Sequence, residues 1–296
     1  MITAAQQHAQ RNRDTLFVES GELVAVERFP GEQYIMRFRA AKIAAAAKPG
    51  TFVHMSCDSN LPMRRPLSIM RVVEDCIDVL FKSHGDGLRL LADKKVGASV
   101  SLLGPIGQPF KPDPQRPICG LIGGGVGIPP MVFLADALRQ DPAWRPLAIL
   151  GSEIPFPFEL QPSALATAWA DNKLVSSMPL LEDWGITSRL CSLSDFDGTF
   201  RGYVTDLADL WLQSLDDAER EQTQLFACGP TVMLKAVAAL AERHNVPCQV
   251  SLEEFMACAV GGCAGCTVEV TTADGPAMKR VCVDGPVFEA AAVVWQ

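Results

Sequence analysis

The sequence predicts an α+β multidomain chain: an antiparallel β-barrel, an α/β domain on a parallel sheet, and a small cysteine-rich unit at the C-terminus. Three observations carry this. Short alternating strands fill the first third of the chain. Buried strands alternating with helices follow a proline-rich break. Three cysteines then crowd into the nine positions 258–266.

The barrel comes first. "ELVAVERF" (22–29) and "QYIMRFRA" (33–40) alternate apolar with polar residues, as half-buried strands do. "TFVHMSC", "RPLSIMRVV" and "CIDVLFKS" continue the pattern, and close-spaced strands of this kind suggest a small antiparallel barrel. One helical interruption, "GDGLRLLADK", falls within it. "KPDPQRP" (111–117) holds three prolines in seven residues and marks a boundary. Beyond it "ICGLIGG", "RPLAILGS", "KLVSSMP" and "QLFACGP" read as buried strands. "PPMVFLADALRQ" and "TVMLKAVAALAERH" have helical periodicity, so a parallel sheet is expected. A third, small unit begins near Val246.

The 296 residues suffice for about two domains at the usual ~100–200 residues each. A hydrophobic content of 48% with 20% charged residues is that of an ordered globular chain. The net charge of −8 repels phosphate backbones and argues against nucleic acid as a partner. No apolar stretch approaches the roughly 18 residues of a membrane span. The polar start "MITAAQQHAQRNRD" lacks the apolar core of a secretory signal. The expectation is a cytoplasmic protein, in which ten cysteines point to metal or buried thiols rather than disulfides.

Cys258, Cys263 and Cys266 have the spacing C-x4-C-x2-C, and Cys282 follows. That is the plant-type [2Fe–2S] spacing. Four thiolates must turn inward onto two irons while backbone N–H groups point at the sulfurs. Gly261, Gly262 and Gly265 are expected to supply the positive φ angles of such a loop. Zinc more often uses two short C-x2-C pairs, and only one is present. Zinc and structural thiols are the alternatives. The other six cysteines are scattered and read as small buried hydrophobes.

Three further stretches could bind a ligand. In "RRPLSIM" (64–70), Arg65 can grip a diphosphate and Ser68 can reach a flavin edge, although alone the strand reads more simply as structure. "LIGGGVGIPPM" (121–131) puts Gly123, Gly124, Gly125 and Gly127 between a strand and a helix, where backbone can approach a pyrophosphate. It is neither G-x-G-x-x-G nor a Walker loop, and a plain tight turn is the alternative. "FACGPTVM" (226–233) puts Cys228, Gly229 and Pro230 at a second strand-to-helix turn. Glu153, after "LAILGS", could accept hydrogen bonds from an adenosine ribose; a solvated surface Glu is the plainer reading. The four histidines are spread widely and read as structural.

The order of these signals is more specific than any one of them. A barrel with "RPLS", then "GGGVGIPPM", then "ACGP", then "EEFMAC" and "CVDGPVF" resembles the ferredoxin-reductase superfamily. Within it, the chain is most similar to the family of dihydroorotate dehydrogenase B electron transfer subunits, from about Leu16 to Phe288, including "DGTFRGYVTD". The resemblance implies an NAD-linked flavin and iron–sulfur oxidoreductase subunit of pyrimidine biosynthesis. It implies an FAD-binding barrel (16–112), an NAD-binding α/β domain (113–245) and a [2Fe–2S] domain (246–296); the polar N-terminal extension (1–15) has no counterpart in the family. Carried over by position, Arg65, Pro66, Leu67 and Ser68 contact FAD, and Lys82, Ser83 and His84 continue that surface. Gly87 and Leu88 lie by the flavin diphosphate. The family usually has Gly-Thr there; Leu88 has no hydroxyl, so a backbone N–H must serve. Gly123 to Gly127, with Val126, and Cys228 to Pro230 serve NAD. Cys258, Cys263, Cys266 and Cys282 hold the cluster. The implied partner is an FMN-containing dihydroorotate dehydrogenase-like catalytic subunit in a heterotetramer, with the cluster near the interface. Nothing in the chain reads as a site for dihydroorotate. A reductase arm of a hydrogenase, ferredoxin:NADP or oxygenase system, or a zinc-stabilised binding module, is the alternative.

Overall fold

The computed structural model describes residues 15–171 and 173–295; residues 1–14 of the expected N-terminal extension lie outside them. Six strands close into an antiparallel barrel: β1 (Phe17–Phe29), β2 (Gln33–Arg39), β3 (Phe52–Met55), β4 (Arg65–Val73), β5 (Cys76–Lys82) and β6 (Ser99–Ile106). The order around it is β1-β2-β5-β4-β3-β6, so no hydrogen-bonding edge is left bare. Alternation fills the inside with Leu23, Met36, Phe38, Val53, Ile69, Val79 and Leu102, all fully buried. Helices α1 (Ala41–Ala46) and α2 (Gly85–Ala92) follow β2 and β5. On the outside, Asp78 is buried but held by both arms of Arg37 at 2.6 and 2.8 Å, which satisfies its charge.

The second layer opens with β7 (Ile118–Gly124), buried at all seven positions, as a central parallel strand must be. A 3-10 turn over Gly125–Gly127 leads into α3 (Ile128–Leu138), whose two prolines sit in its first turn, where a missing N–H costs little. Then come β8 (Arg145–Gly151), β9 (Gln161–Pro162), β10 (Ser176–Ser177), α4 (Pro179–Asp183), β11 (Thr187–Ser192) and β12 (Phe200–Arg201). Next are α5 (Val204–Ser214), α6 (Asp217–Glu221), β13 (Thr223–Cys228), α7 (Thr231–His244) and β14 (Cys248–Ser251). A hairpin of β15 (Thr267–Thr272) and β16 (Gly275–Arg280) precedes β17 (Val287–Glu289). The main sheet runs β12-β11-β8-β7-β13-β14-β17, parallel except for the last pair.

One expected strand is displaced. "KLVSSMP" gives only β10, which pairs with β9 outside the main sheet. Its two serines and Pro179, the first residue of α4, leave too few apolar positions for a central strand. The place beside β8 belongs to β11, "TSRLCS", with five of six residues buried. Its buried Arg189 hides the pattern: the guanidinium bonds the carbonyls of Ser188 and Leu165 and the Thr167 hydroxyl.

Two further facts position the site. From β7 the chain runs outward through β8, β11 and β12, then returns to β13 on the other side of β7. That reversal brings the C-terminal ends of β7 and β13 together, where ligands bind open α/β sheets. The segment after Val246 is also not a free appendage, since β14 and β17 extend the sheet.

Candidate functional site

The four cysteines reach one place by two routes. Cys258, Cys263 and Cys266 share a loop; Cys282 arrives through the hairpin. Thr267 lies opposite Arg280, so Cys266 stands just before one hairpin strand and Cys282 just after the other. The Val281 N–H closes the base by donating to the Cys266 carbonyl at 2.8 Å. A gap of fifteen residues in sequence thus becomes proximity in space. Burial pushes the Cys282 thiol up to about 12, with the Cys266 thiol beside it and Cys258 nearby adding to the rise. Burial acts in the same direction on Cys258, but N–H groups of Val260, Cys263 and Gly262 and the Cys263 thiol outweigh it and bring the group down to about 7.

The loop's backbone aims donors at sulfur. The Cys263 N–H points at Cys258 Sγ and the Gly265 N–H at Cys263 Sγ, each at 3.4 Å. Left-handed backbone occurs at Ala259 (φ 55°), Gly261 (φ 80°) and Ala264 (φ 55°). Of the three glycines expected in that role, only Gly261 fills it. Gly262 and Gly265 instead keep space clear: nothing lies within 4 Å of a Cβ on Gly262, and only Cys263 Sγ, at 3.6 Å, near one on Gly265. A clamp that sequence reasoning missed holds the loop. Arg280 donates to the Gly261 carbonyl at 3.1 Å and pairs with Asp284 at 3.3 Å. A positive charge four residues before a negative one on a tight turn was the available signal. Among the described residues, no three His, Cys, Asp or Glu side chains close on one point as a single metal ion requires. The donor set is all sulfur, with backbone N–H groups aimed at Cys258 Sγ and Cys263 Sγ, and that chemistry fits a two-iron cluster.

The barrel carries the second part. Arg65 begins β4, and its Nη1 donates to the Met63 carbonyl at 2.9 Å. A Cβ on Gly87 would lie only 3.1 Å from Arg65 Nε, so the absence of a side chain lets the guanidinium settle over the first turn of α2. A cation over helix N–H groups is a cradle for a diphosphate. Pro66 and Ser68 are half-buried on the outer face of β4, opposite His54 and Phe52 of β3. Leu67 points the other way, into the barrel core, and offers a cofactor only backbone. Leu88 packs against that same core. Lys82 and His84 are exposed at the end of β5, whereas Ser83 is buried, its N–H donating to the Glu32 carbonyl at 2.8 Å.

The third part lies at the sheet's reversal. Gly124 is crowded by Met233, and a Cβ on Gly127 would run into the Cys228 carbonyl. The two strand-to-helix loops therefore touch through glycine. Between them Gly125 has φ 54° and nothing within 4 Å of where its Cβ would be. Val126 is exposed, Gly123 is buried under Ile128 and Met131, and Cys228 and Gly229 are half-buried beside exposed Pro230. Glu153 is exposed beyond the end of β8.

These parts adjoin. Phe52 and Ile106 of the barrel share one apolar core with Leu252, Met256, Ala259, Cys266, Val281 and Cys282. Gln108, just after β6, bonds the carbonyl of Val283 through its side chain and that of Gly285 through its N–H. α3 packs against β4 from the other side.

Comparisons with known proteins agree with this arrangement. Residues 253–294 match the sequence profile described as the iron-sulfur cluster binding domain of dihydroorotate dehydrogenase B. The dihydroorotate dehydrogenase B (NAD(+)) electron transfer subunit of Desulforamulus reducens is 30% identical over 284 residues, covering 94% of this chain and 99% of the relative. The subunit of the same name from Bacillus caldolyticus is 32% identical, with 99% and 97% covered. That of Geobacillus thermodenitrificans is 33% identical, with 95% and 98% covered. Among solved structures, an NADH-dependent reduced ferredoxin-NADP oxidoreductase superposes with a TM-score of 0.75 at 23% identity, covering 94% of this chain and 90% of that one. The ferredoxin reductase of carbazole 1,9a-dioxygenase gives 0.60 at 20% identity, covering 78% and 67%. Both share the fold.

Proposed function

Since the chain belongs to the family of dihydroorotate dehydrogenase B electron transfer subunits, we propose that it carries electrons between a partner flavoenzyme and NAD by way of a [2Fe–2S] cluster and FAD, in pyrimidine biosynthesis. The observation that carries this is the hairpin that brings Cys282 to the three loop cysteines on the barrel's flank.

When bound, NAD supplies hydride chemistry, the cluster single-electron chemistry, and flavin the exchange between the two. The chain's own residues bind and orient. Cys258, Cys263, Cys266 and Cys282 hold the irons, and the N–H groups of Cys263 and Gly265 offset charge on sulfur. Arg65, with the first turn of α2 at Gly87, holds the flavin diphosphate. Pro66, Ser68 and the backbone of Leu67 line the ring, with Lys82, Ser83, His84 and Leu88 along the rest of the cofactor. Gly123 to Gly127 and Cys228 to Pro230 admit the NAD pyrophosphate at the sheet's reversal. Glu153 favours a free ribose hydroxyl over a 2′-phosphate.

The division of labour is a barrel for FAD (16–112), a sheet for NAD (113–245) and a cluster segment (246–296). Anaerobically purified protein should show flavin and cluster bands with about two irons per chain. Zinc without iron or flavin, in protein competent for reconstitution, overturns the reading.

An electron transfer subunit needs a catalytic partner. The partner chemistry that fits is an FMN-containing dihydroorotate dehydrogenase, joined in a cytoplasmic heterotetramer; no helix of the described residues is long and apolar enough to cross a membrane. The cluster segment leaves Phe255, 94% exposed, Val260, Met278 and Cys263 on the surface. A bare aromatic three residues before a cluster ligand suits a protein interface. Phe255→Asp should weaken assembly with the catalytic subunit by about 30-fold or more, at the ~2 kcal/mol of an aromatic anchor. Iron and flavin content should stay unchanged, and sedimentation of the mixed subunits reads the result. Unaltered assembly would place the interface elsewhere.

A further inference from the structure

Arg280 joins the two halves of the cysteine site. It is the last residue of β16 and lies opposite Thr267, so its backbone is next to that of both Cys266 and Cys282. Its side chain leaves this base and crosses to the loop that carries the other two thiols. There Nη1 donates to the Gly261 carbonyl at 3.1 Å. Asp284 aims the guanidinium: one carboxylate oxygen accepts from the Arg280 N–H at 2.8 Å and from Nε at 3.3 Å. Both side chains are half-buried, and the carboxylate offsets much of the charge that the guanidinium brings to the loop. The bond to Gly261 fixes a direction as well.

The Gly261–Gly262 peptide is planar and trans, so its carbonyl and the Gly262 N–H point in opposite directions. Holding the carbonyl therefore fixes the N–H, and that N–H lies by the Cys258 sulfur. The Gly261 N–H lies by the Cys282 sulfur. Sterics alone would let the plane turn over. Gly261 has φ 80°, whereas Gly262 is outside the left-handed region with nothing within 4 Å of where its Cβ would be. A reversed plane needs a positive φ at residue 262, which glycine adopts about as readily as a negative one. Reversal would turn a carbonyl towards sulfur in place of an N–H. The hydrogen bond from Arg280 opposes it.

We propose that Arg280 is a positioning residue: it fixes the Gly261–Gly262 peptide with its N–H towards sulfur, and so raises the reduction potential of the bound [2Fe–2S] cluster. This rests on the cluster reading above. Each reduced cluster takes up one electron, and no bond forms or breaks. The added negative charge falls partly on the sulfurs, so N–H groups aimed at them stabilise the reduced form more than the oxidised form. A carbonyl in the same place does the reverse. Arg280 touches the loop and not the thiols, and it acts on the cluster through the peptide it holds.

The test is a redox titration of the full-length, cluster-loaded protein with dithionite, followed by the visible and EPR signals of the cluster. Arg280→Met should keep about two irons per chain and the parent's flavin content. Its cluster should be harder to reduce, the one-electron equilibrium moving about tenfold towards the oxidised form, ~59 mV lower. Arg280→Lys separates direction from charge. It keeps the cation but has no Nε for Asp284 to aim, and no fork. Its equilibrium should still move about threefold in the same direction, half the shift in potential. An Arg280→Met equilibrium within about twofold of the parent overturns the proposal. So does a shift in Arg280→Met with none in Arg280→Lys, because Arg280 then acts through its charge alone. If Arg280→Met takes up no cluster, Arg280→Lys decides by itself: a lowered potential supports the fixed peptide, and an unmoved one overturns it. A parent that takes up no iron refutes the cluster reading instead.

Discussion

Cys263→Ala yields a protein that keeps its flavin and loses its iron. Cys263 is the exposed thiol at the tip of the cluster loop, outside every apolar core. Its replacement leaves the barrel, the sheet and the base of the hairpin at Val281 and Cys266 intact. The loop nevertheless loses one of four thiolates, and the Gly265 N–H loses the sulfur it points at. Iron should fall from about two per chain to near zero. Flavin content should stay at the parent's level, and reduction of the flavin by NADH should continue. Electron transfer to the catalytic subunit should fall by about two orders of magnitude or more, because the one-electron carrier is gone. Iron analysis beside the flavin spectrum reads both halves of this result. Unchanged iron would mean that Cys263 is not a ligand.

Gly125→Leu separates the nucleotide loop from the flavin site. The backbone there has φ 54°, so a side chain costs about 1–2 kcal/mol of strain. Nothing within 4 Å of the new Cβ would be displaced, so the chain still folds. The side chain would stand over the sheet's reversal, where the proposed function places the NAD pyrophosphate. KM for NADH should rise about 10- to 100-fold, with FAD affinity within a factor of about two of the parent, the ~1.4–2.8 kcal/mol expected when a close backbone contact is blocked. Gly127 gives no such separation, because any Cβ there meets the Cys228 carbonyl and forces apart two loops of the fold itself. Equal loss of NADH and FAD binding in Gly125→Leu would make the loop a structural turn.

What the sequence discloses is what lies close together in it. Alternation in 22–40 and 65–83 makes the barrel strands plain, because period two is a local property. The spacing of Cys258, Cys263 and Cys266 is local in the same way. Thr187–Ser192 is hidden because Arg189 is buried on bonds to residues more than twenty positions away, which no periodicity reports. The left-handed positions at Ala259 and Ala264 are hidden because the wrapped loop imposes a backbone that alanine does not prefer. His54 is hidden for a third reason. "TFVHMSC" alternates like any strand, and only the closed barrel shows that its imidazole is fully buried.

The pairing of Cys248–Ser251 with β13, and of Val287–Glu289 with β14, has a mechanical meaning. The stretch bearing all four thiols leaves the ladder at Ser251 and rejoins it at Val287, so both of its ends are stitched into the same pleated layer. No tether lets it swing. Any partner must come to the thiols, and the place of this segment beside the barrel is set once, when the chain folds.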